Sequence, residues 1–238
     1  MKFVKPMAVL TALLFAAGIH MAFLWAPEEK TMGEIYRIFY LHVPSFWTAA
    51  VAMTINALAC LMYIFRHSEA KGGKPRRANF WDSLAAASAE VGLVFCTGGL
   101  WMGPMWAKPA WGIWWTWDAR LTLTFLTWLM YISYLLLRGF LEGSDRRGMI
   151  SAVFGIFAVV NVPLTYMANR WYRTQHPQPV MGGGEGSGLE AQMWYAVGVC
   201  WAATLALMVC YLILRVALEE DRRTLMVLRR KLRMEEAE

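Results

Sequence analysis

Charge is scarce in this chain: Asp, Glu, Lys and Arg make up 17% of its 238 residues, where a soluble domain carries roughly 25%. With 58% hydrophobic residues and a mean hydropathy of +0.38, an ordinary water-soluble globule is excluded. Cysteine is scarce too. Cys60, Cys96, Cys200 and Cys210 all lie inside apolar blocks, and neither C-x-x-C nor C-x-x-C-H occurs. A disulfide framework and a zinc site are therefore excluded, leaving the four as small packing residues. Histidine appears four times, and no internal repeat is evident. An excess of negative charge is also missing, since the formal balance is +6. The positive residues sit in short loops and the C-terminal tail, a distribution that orients a membrane protein rather than one that grips nucleic acid.

What is present is apolar sequence in long blocks, at residues 7–26, 44–65, 83–103, 121–137, 150–168 and 193–214. About 20 such residues cross a hydrocarbon core of roughly 30 Å. Backbone in lipid has to satisfy its own polar groups, so the blocks are helices. The expected fold class is an all-α integral membrane protein, with six transmembrane helices forming one domain over residues 1–238. The fourth and fifth blocks are the shortest. The first follows Lys2 and Lys5. It exceeds a usual signal-peptide core, and Ala16-Ala17-Gly18 lies within it, so it reads as an uncleaved helix. Six spans put both termini on one side. Seventeen of the 23 Lys and Arg then fall on that side and six on the other, which places both termini in the cytoplasm. The tail, about residues 215–238, reads as a charged helical extension carrying Leu225, Val227 and Leu228, with solvation its default state.

The outward connections are aromatic. Trp111, Trp114, Trp115 and Trp117 put four of the 13 tryptophans into residues 111–118. One interfacial Trp anchors a helix at headgroup level. Four together make a broad surface suited to a large flat apolar ligand, with an enlarged aromatic belt as the plain alternative. Among the histidines, His67 lies in the basic inner loop and is expected to be solvated, while His20 is near the outer end of the first helix. His42 comes just before Val43-Pro44. A proline suits a first helical turn and pushes the residue before it to an extended conformation, which sets the imidazole at the outer membrane surface. His176, followed by Pro177, lies in an outward aromatic loop that runs into a glycine-rich, linker-like segment at residues 182–188.

Haem chemistry unites these residues. A porphyrin stacks on indole, its iron takes axial imidazoles and its propionates take guanidinium groups. Arg37, Arg120, Arg170 and Arg173 are the nearest outward cations. Asp118 and Arg120 are two apart and do not face each other on a regular helix. Asp118 either caps the fourth helix or takes a functional role. Glu90, a carboxylate inside the third block, faces a cavity, pairs with another helix or is protonated. Asn56, Asn161 and a kink at Pro163 read as helix-packing features.

Together these residues resemble the haem-handling membrane proteins of cytochrome c maturation. The run Trp111-Gly112-Ile113-Trp114-Trp115-Thr116-Trp117-Asp118-Ala119-Arg120-Leu121-Thr122 is similar to that superfamily's tryptophan-rich WWD signature. Tyr40-Leu41-His42-Val43-Pro44-Ser45 resembles the first histidine motif of the haem exporter protein C (CcmC) family. The resemblance covers nearly the whole chain. It implies a non-enzymatic inner-membrane protein that binds haem b transiently at its periplasmic face and delivers it to a periplasmic haem chaperone (CcmE-type). ATP-binding-cassette subunits (CcmA/CcmB-type) and a small membrane subunit (CcmD-type) are the implied companions. His42 and His176 would be the axial ligands. Trp111, Trp114, Trp115, Trp117 and Asp118 would form the platform in an outer loop of about residues 104–120, and Arg120 would sit near a propionate or the partner surface. The second-histidine loop would span about residues 169–192, its glycine-rich part departing from the family pattern, with His20 the next ligand candidate.

Three other readings compete. A cytochrome c haem synthetase shares the signature but carries more membrane histidines than four. A haem or solute permease needs a polar path at mid-membrane, for which Glu90, Asn56 and Asn161 are the candidates. A structural subunit would use its tryptophans as anchors alone.

Overall fold

A computed structural model describes residues 4–70, 75–177 and 189–235. Its seven α-helices are α1 (Val4–His20), α2 (Phe39–Ala70), α3 (Pro75–Trp111), α4 (Ala119–Phe140), α5 (Arg147–Val159), α6 (Asn161–Trp171) and α7 (Ala191–Glu235). A π-helical turn, Met21–Trp25, prolongs α1, and a 3-10 turn, Glu34–Ile38, leads into α2. No strand occurs among the described residues. With α5 and α6 counted together, six helical segments among the described residues are long and apolar enough to cross a membrane. The short fourth and fifth blocks become spans of 22 and 25 residues, because polar side chains at their ends extend the helices beyond the apolar runs.

The fifth span is broken at Val160, between α5 and α6. Pro163 has no N–H to offer the carbonyl one turn back, so the helix hydrogen-bond ladder fails there. Asn161 at the break turns its Nδ2 toward α4, donating to Leu123 O at 2.8 Å and Thr127 Oγ1 at 2.7 Å. Asn56 ties α2 to α3 through Ala85 O at 2.7 Å. Both asparagines therefore serve helix packing.

The centre of the bundle is the antiparallel pair α2 and α3. One stripe of α3 carries Gly92, Gly99 and Gly103. A β-carbon at these positions would lie 3.2 Å from Met53 Cγ, 2.7 Å from the Phe46 ring and 3.4 Å from His42 Cε1, respectively. Missing side chains let the helices approach closely, the usual basis of helix association in lipid. α1 lies on α7 in the same way, with Gly18 against Cys200 and Thr11 Oγ1 3.7 Å from Cys210 Sγ.

Pro44 is inside α2 rather than at its start, and His42 and Val43 are helical. The extended conformation expected before this proline is thus overridden. Pro44 is fully buried, and the 3-10 turn already carries the chain in helically, so packing outweighs the local preference. His42 is consequently buried, 6% exposed, rather than lying at the surface.

At the end opposite the tryptophans, an ionic cluster joins four helices. Arg138 on α4 makes a bidentate pair with Asp82 on α3, at 2.8 and 3.1 Å. Arg223 on α7 donates to Asp82 Oδ2 at 2.6 Å and to Asn79 O at 3.0 Å. Glu219, also on α7, lies 3.5 Å from Arg147 on α5 and 3.9 Å from Arg138. The helical tail was expected to be solvated, yet its first two turns are docked by these contacts. Leu225, Val227 and Leu228 beyond them are exposed. His67 is not simply solvated either, since it stacks on Tyr63 at 5.4 Å. Glu90 takes the helix-pairing option, accepting from Arg215 Nη2 at 2.7 Å.

Removing one member of a buried ion pair strands the other, a loss of about 3–5 kcal/mol. Asp82→Ala should therefore lower the melting temperature of the detergent-solubilised protein well below that of an Arg222→Ala control on the exposed Glu142 pair. Equal melting temperatures would mean the cluster contributes nothing to stability.

Candidate functional site

Described residues of the three connections at the tryptophan end, namely Tyr36, residues 113–116 and residues 175–177, line a cavity of about 830 Å³ bounded by α2, α3, α4 and α6. That is toward the upper part of the usual range of ligand sites, about 300–1,000 Å³. Its walls are mostly apolar. Among the described residues, Arg120 is the one charged side chain that lines it.

α3 ends where it does because Gly112 takes φ 78°, the left-handed conformation that closes a helix C-terminus. Lys108 Nζ seals this end by donating to Gly112 O at 2.9 Å. The chain then returns across the cavity mouth, bringing Trp111, Trp114 and Trp115 into its lining. Trp117 is placed differently. It is 72% exposed, does not line the cavity, and packs edge-on against Trp115 at 5.8 Å and Phe125 at 6.1 Å.

Asp118 does not line the cavity either. It caps α4, accepting from Leu121 N at 3.0 Å. Its other oxygen accepts from Thr116 Oγ1 at 3.2 Å and Thr174 Oγ1 at 2.8 Å. Two residues on, Arg120 points into the cavity, and its buried Nη1 has no hydrogen-bond partner.

The two histidines reach the cavity from separate elements. His42, on the second turn of α2, is wedged edge-on against Phe46 at 5.0 Å and Trp106 at 5.7 Å. Its buried Nδ1 has no partner. His176 follows α6, and its Nδ1 lies 2.9 Å from Pro177 O. A carbonyl only accepts, so this contact calls for the proton on Nδ1 and leaves the Nε2 lone pair open. Asn169 on α6 supports the same carbonyl through Nδ2 at 2.7 Å.

Of the other candidates, Arg37 is engaged elsewhere, pairing with Glu34 and donating to Ala22 O at 2.6 Å. Arg170, Arg173 and His20 are not cavity-lining residues. The glycine-rich segment, residues 182–188, falls outside the described residues. Trp106 went unremarked in the sequence, although it is 5% exposed and central to the packing around His42. It lies only five residues before the tryptophan cluster, on the same face of the chain's outward half, and that proximity was its one available signal.

The model of the family described as heme exporter protein C matches residues 1–233. The chain belongs to that family. Heme exporter protein C of Bradyrhizobium diazoefficiens is 31% identical over 186 residues, covering 77% of this chain and 66% of that protein. The Escherichia coli K12 protein of the same name is 28% identical over 175 residues, 73% of this chain and 67% of its own length. The Rhodobacter capsulatus one is 27% identical over 229 residues, 94% and 89%. The match thus spans about two thirds of the first two relatives and most of the third. Six spans in a heme exporter protein C family member make this a multi-pass membrane protein.

Burial holds the His176 imidazole down to about 4, with the Arg120 charge adding to the effect and the Pro177 carbonyl opposing it. An exposed imidazole titrates near 6.5, so His176 should stay neutral, with a free lone pair, throughout the pH 5.5–8 range. NMR titration of the haem-free protein should show it protonating only as pH falls toward 4, and Arg120→Ala should move that midpoint upward. A midpoint near 6.5 in the unmodified protein would mean that the imidazole lies in water.

Proposed function

We propose that this protein holds haem in the cavity at the tryptophan end, as cargo, and passes it to a periplasmic haem chaperone. One observation carries the reading: two histidines with an open ring nitrogen and one unpartnered guanidinium converge on a single apolar cavity with an indole-rich mouth. Haem offers what each lacks, namely iron for the imidazoles, a carboxylate for the cation and a flat apolar disc for the rings. His42 and His176 are the proposed axial ligands, and Arg120 the partner of a propionate. Trp111, Trp114 and Trp115 form the stacking wall. Trp117, exposed beside them, extends the platform toward a docking partner, and Asp118 supports it from behind.

The charge distribution supports the side of the membrane. With six spans, seventeen of the 23 Lys and Arg fall on the side of the termini, which favours cytoplasmic termini and a cavity mouth at the periplasmic face of the inner membrane. There the chaperone, of the CcmE type, would meet it. CcmA/CcmB-type ATP-binding-cassette subunits and a CcmD-type membrane subunit complete the proposed assembly.

Delivery, rather than catalysis, suits this site. Two axial Fe–N bonds and ring stacking are reversible, and the binding step breaks no covalent bond. The permease alternative loses support because its candidate polar path is engaged elsewhere: Glu90 with Arg215, Asn56 with Ala85, Asn161 with α4.

Purified protein loaded with hemin should show a low-spin, bis-imidazole Soret spectrum. His42→Ala and His176→Ala should each weaken or shift that band and lower chaperone loading in cells, whereas a band indifferent to both would move the ligands elsewhere. Arg120→Ala should weaken haem affinity on the order of tenfold or more, the worth of one charge-assisted hydrogen bond, without changing the spin state. Unaltered affinity would take Arg120 out of propionate binding.

A further inference from the structure

We infer that Asp118 and Thr174 are positioning residues that hold His176 at the cavity, an inference that rests on His176 being a haem ligand. The chain of bonds is short and directional. Asp118 Oδ1 accepts the Leu121 N–H at 3.0 Å, fixing the carboxylate to the first turn of α4. Oδ2 accepts the Thr174 hydroxyl at 2.8 Å. The Thr174 oxygen, its proton committed to the carboxylate, accepts the backbone N–H of His176 at 3.1 Å. A rigid helix terminus is thereby connected, through one hydroxyl, to the residue that presents the imidazole.

Capping alone does not call for a carboxylate. Asn, Ser and Thr start helices about as well, and each offers one acceptor to the cap. What the carboxylate adds is a second acceptor oxygen, and here it receives two hydroxyls from opposite sides. Thr116 comes from the tryptophan loop at 3.2 Å and Thr174 from the histidine loop. Asp118 thus locks together the two loops that frame the cavity mouth while lining none of the cavity itself.

Among the described residues, the segment it holds is fixed at few other points. Residues 172–177 form no regular secondary structure; Tyr172 N–H closes α6 on Ala168 O at 2.9 Å, and Asn169 donates to Pro177 O at 2.7 Å and His176 O at 3.4 Å. Asn169 holds the far side of His176 and Thr174 the near side. Releasing one anchor frees the backbone to rotate about the other, and axial ligation tolerates little displacement.

Three variants separate positioning from capping and from ligation. Thr174→Val removes the hydroxyl at nearly constant shape, and Thr174→Ser keeps it. Asp118→Asn keeps a good cap but replaces one acceptor oxygen by a donor. Two readouts are taken on the purified full-length protein: hydrogen exchange in the haem-free state, and the spectrum and haem loss to an apoglobin scavenger in the hemin-loaded state. In the haem-free state, Thr174→Val and Asp118→Asn should speed exchange in residues 172–177 and leave residues 119–124 unchanged. With hemin they should lose part of the low-spin band and release haem on the order of tenfold faster, toward the His176→Ala rate, as expected for one lost bond to a charged acceptor. Thr174→Ser should stay within about twofold of the unmodified protein, its hydrogen bond retained.

A Thr174→Val protein with unaltered exchange, spectrum and haem loss, beside a His176→Ala protein that has lost the low-spin band, overturns the positioning role and leaves the ligand assignment standing. A His176→Ala protein with an unaltered low-spin band overturns the ligand assignment, and the positioning role with it.

Discussion

The contact on which the rest of the molecule depends is the glycine stripe of α3 against α2. Gly92, Gly99 and Gly103 face Met53, Phe46 and His42 in antiparallel order. Association in lipid gains nothing from excluding apolar surface from water, so it relies on close packing of this kind. Filling Gly99 would drive a β-carbon into the Phe46 ring, and Phe46 is the ring on which His42 rests. The same stripe that holds the bundle together therefore also sets the depth of the first histidine.

The two ends of the bundle use polar groups in opposite ways. At the tail end, Asp82, Arg138, Arg147, Glu219 and Arg223 pair with one another across four helices, so that end is tied shut by charge. At the tryptophan end, Arg120 Nη1 and His42 Nδ1 remain unpaired around a cavity. Burying such groups without partners is costly, and a ligand that pairs with them recovers that cost. Stability is concentrated at one end of the molecule and binding capacity at the other.

Much of this was legible from residue order. The apolar blocks announced six spans because bilayer thickness sets their length. Capping was one of the two roles left open for Asp118, and Asp118 does cap α4, since capping is a local property. Asn56, Asn161 and the Pro163 kink also followed from local rules. Four features did not. The helical conformation around Pro44 depends on burial between helices, which overrides the local preference of the residue before a proline. Trp106 gave no signal apart from the tryptophans that follow it. Thr174 is an ordinary loop threonine in the sequence, and its bond to Asp118 spans 56 positions. The docked start of the tail was missed for the same reason, because Arg223 and Glu219 find partners on helices far away in the chain.

Gly112 gives the tryptophan motif a stereochemical foundation. A β-carbon there would touch nothing within 4 Å, so the glycine is not present to make room. What it supplies is handedness: at φ 78° the backbone turns in the sense that L-residues resist. The indoles on either side of it face a common space because the chain between them bends as a mirror-image residue would. A lone methyl group at that position would reach no neighbour, yet it would favour a bend of the opposite sense and turn Trp114 and Trp115 away from Trp111. The aromatic wall thus depends on chirality at the single position in the motif that has none.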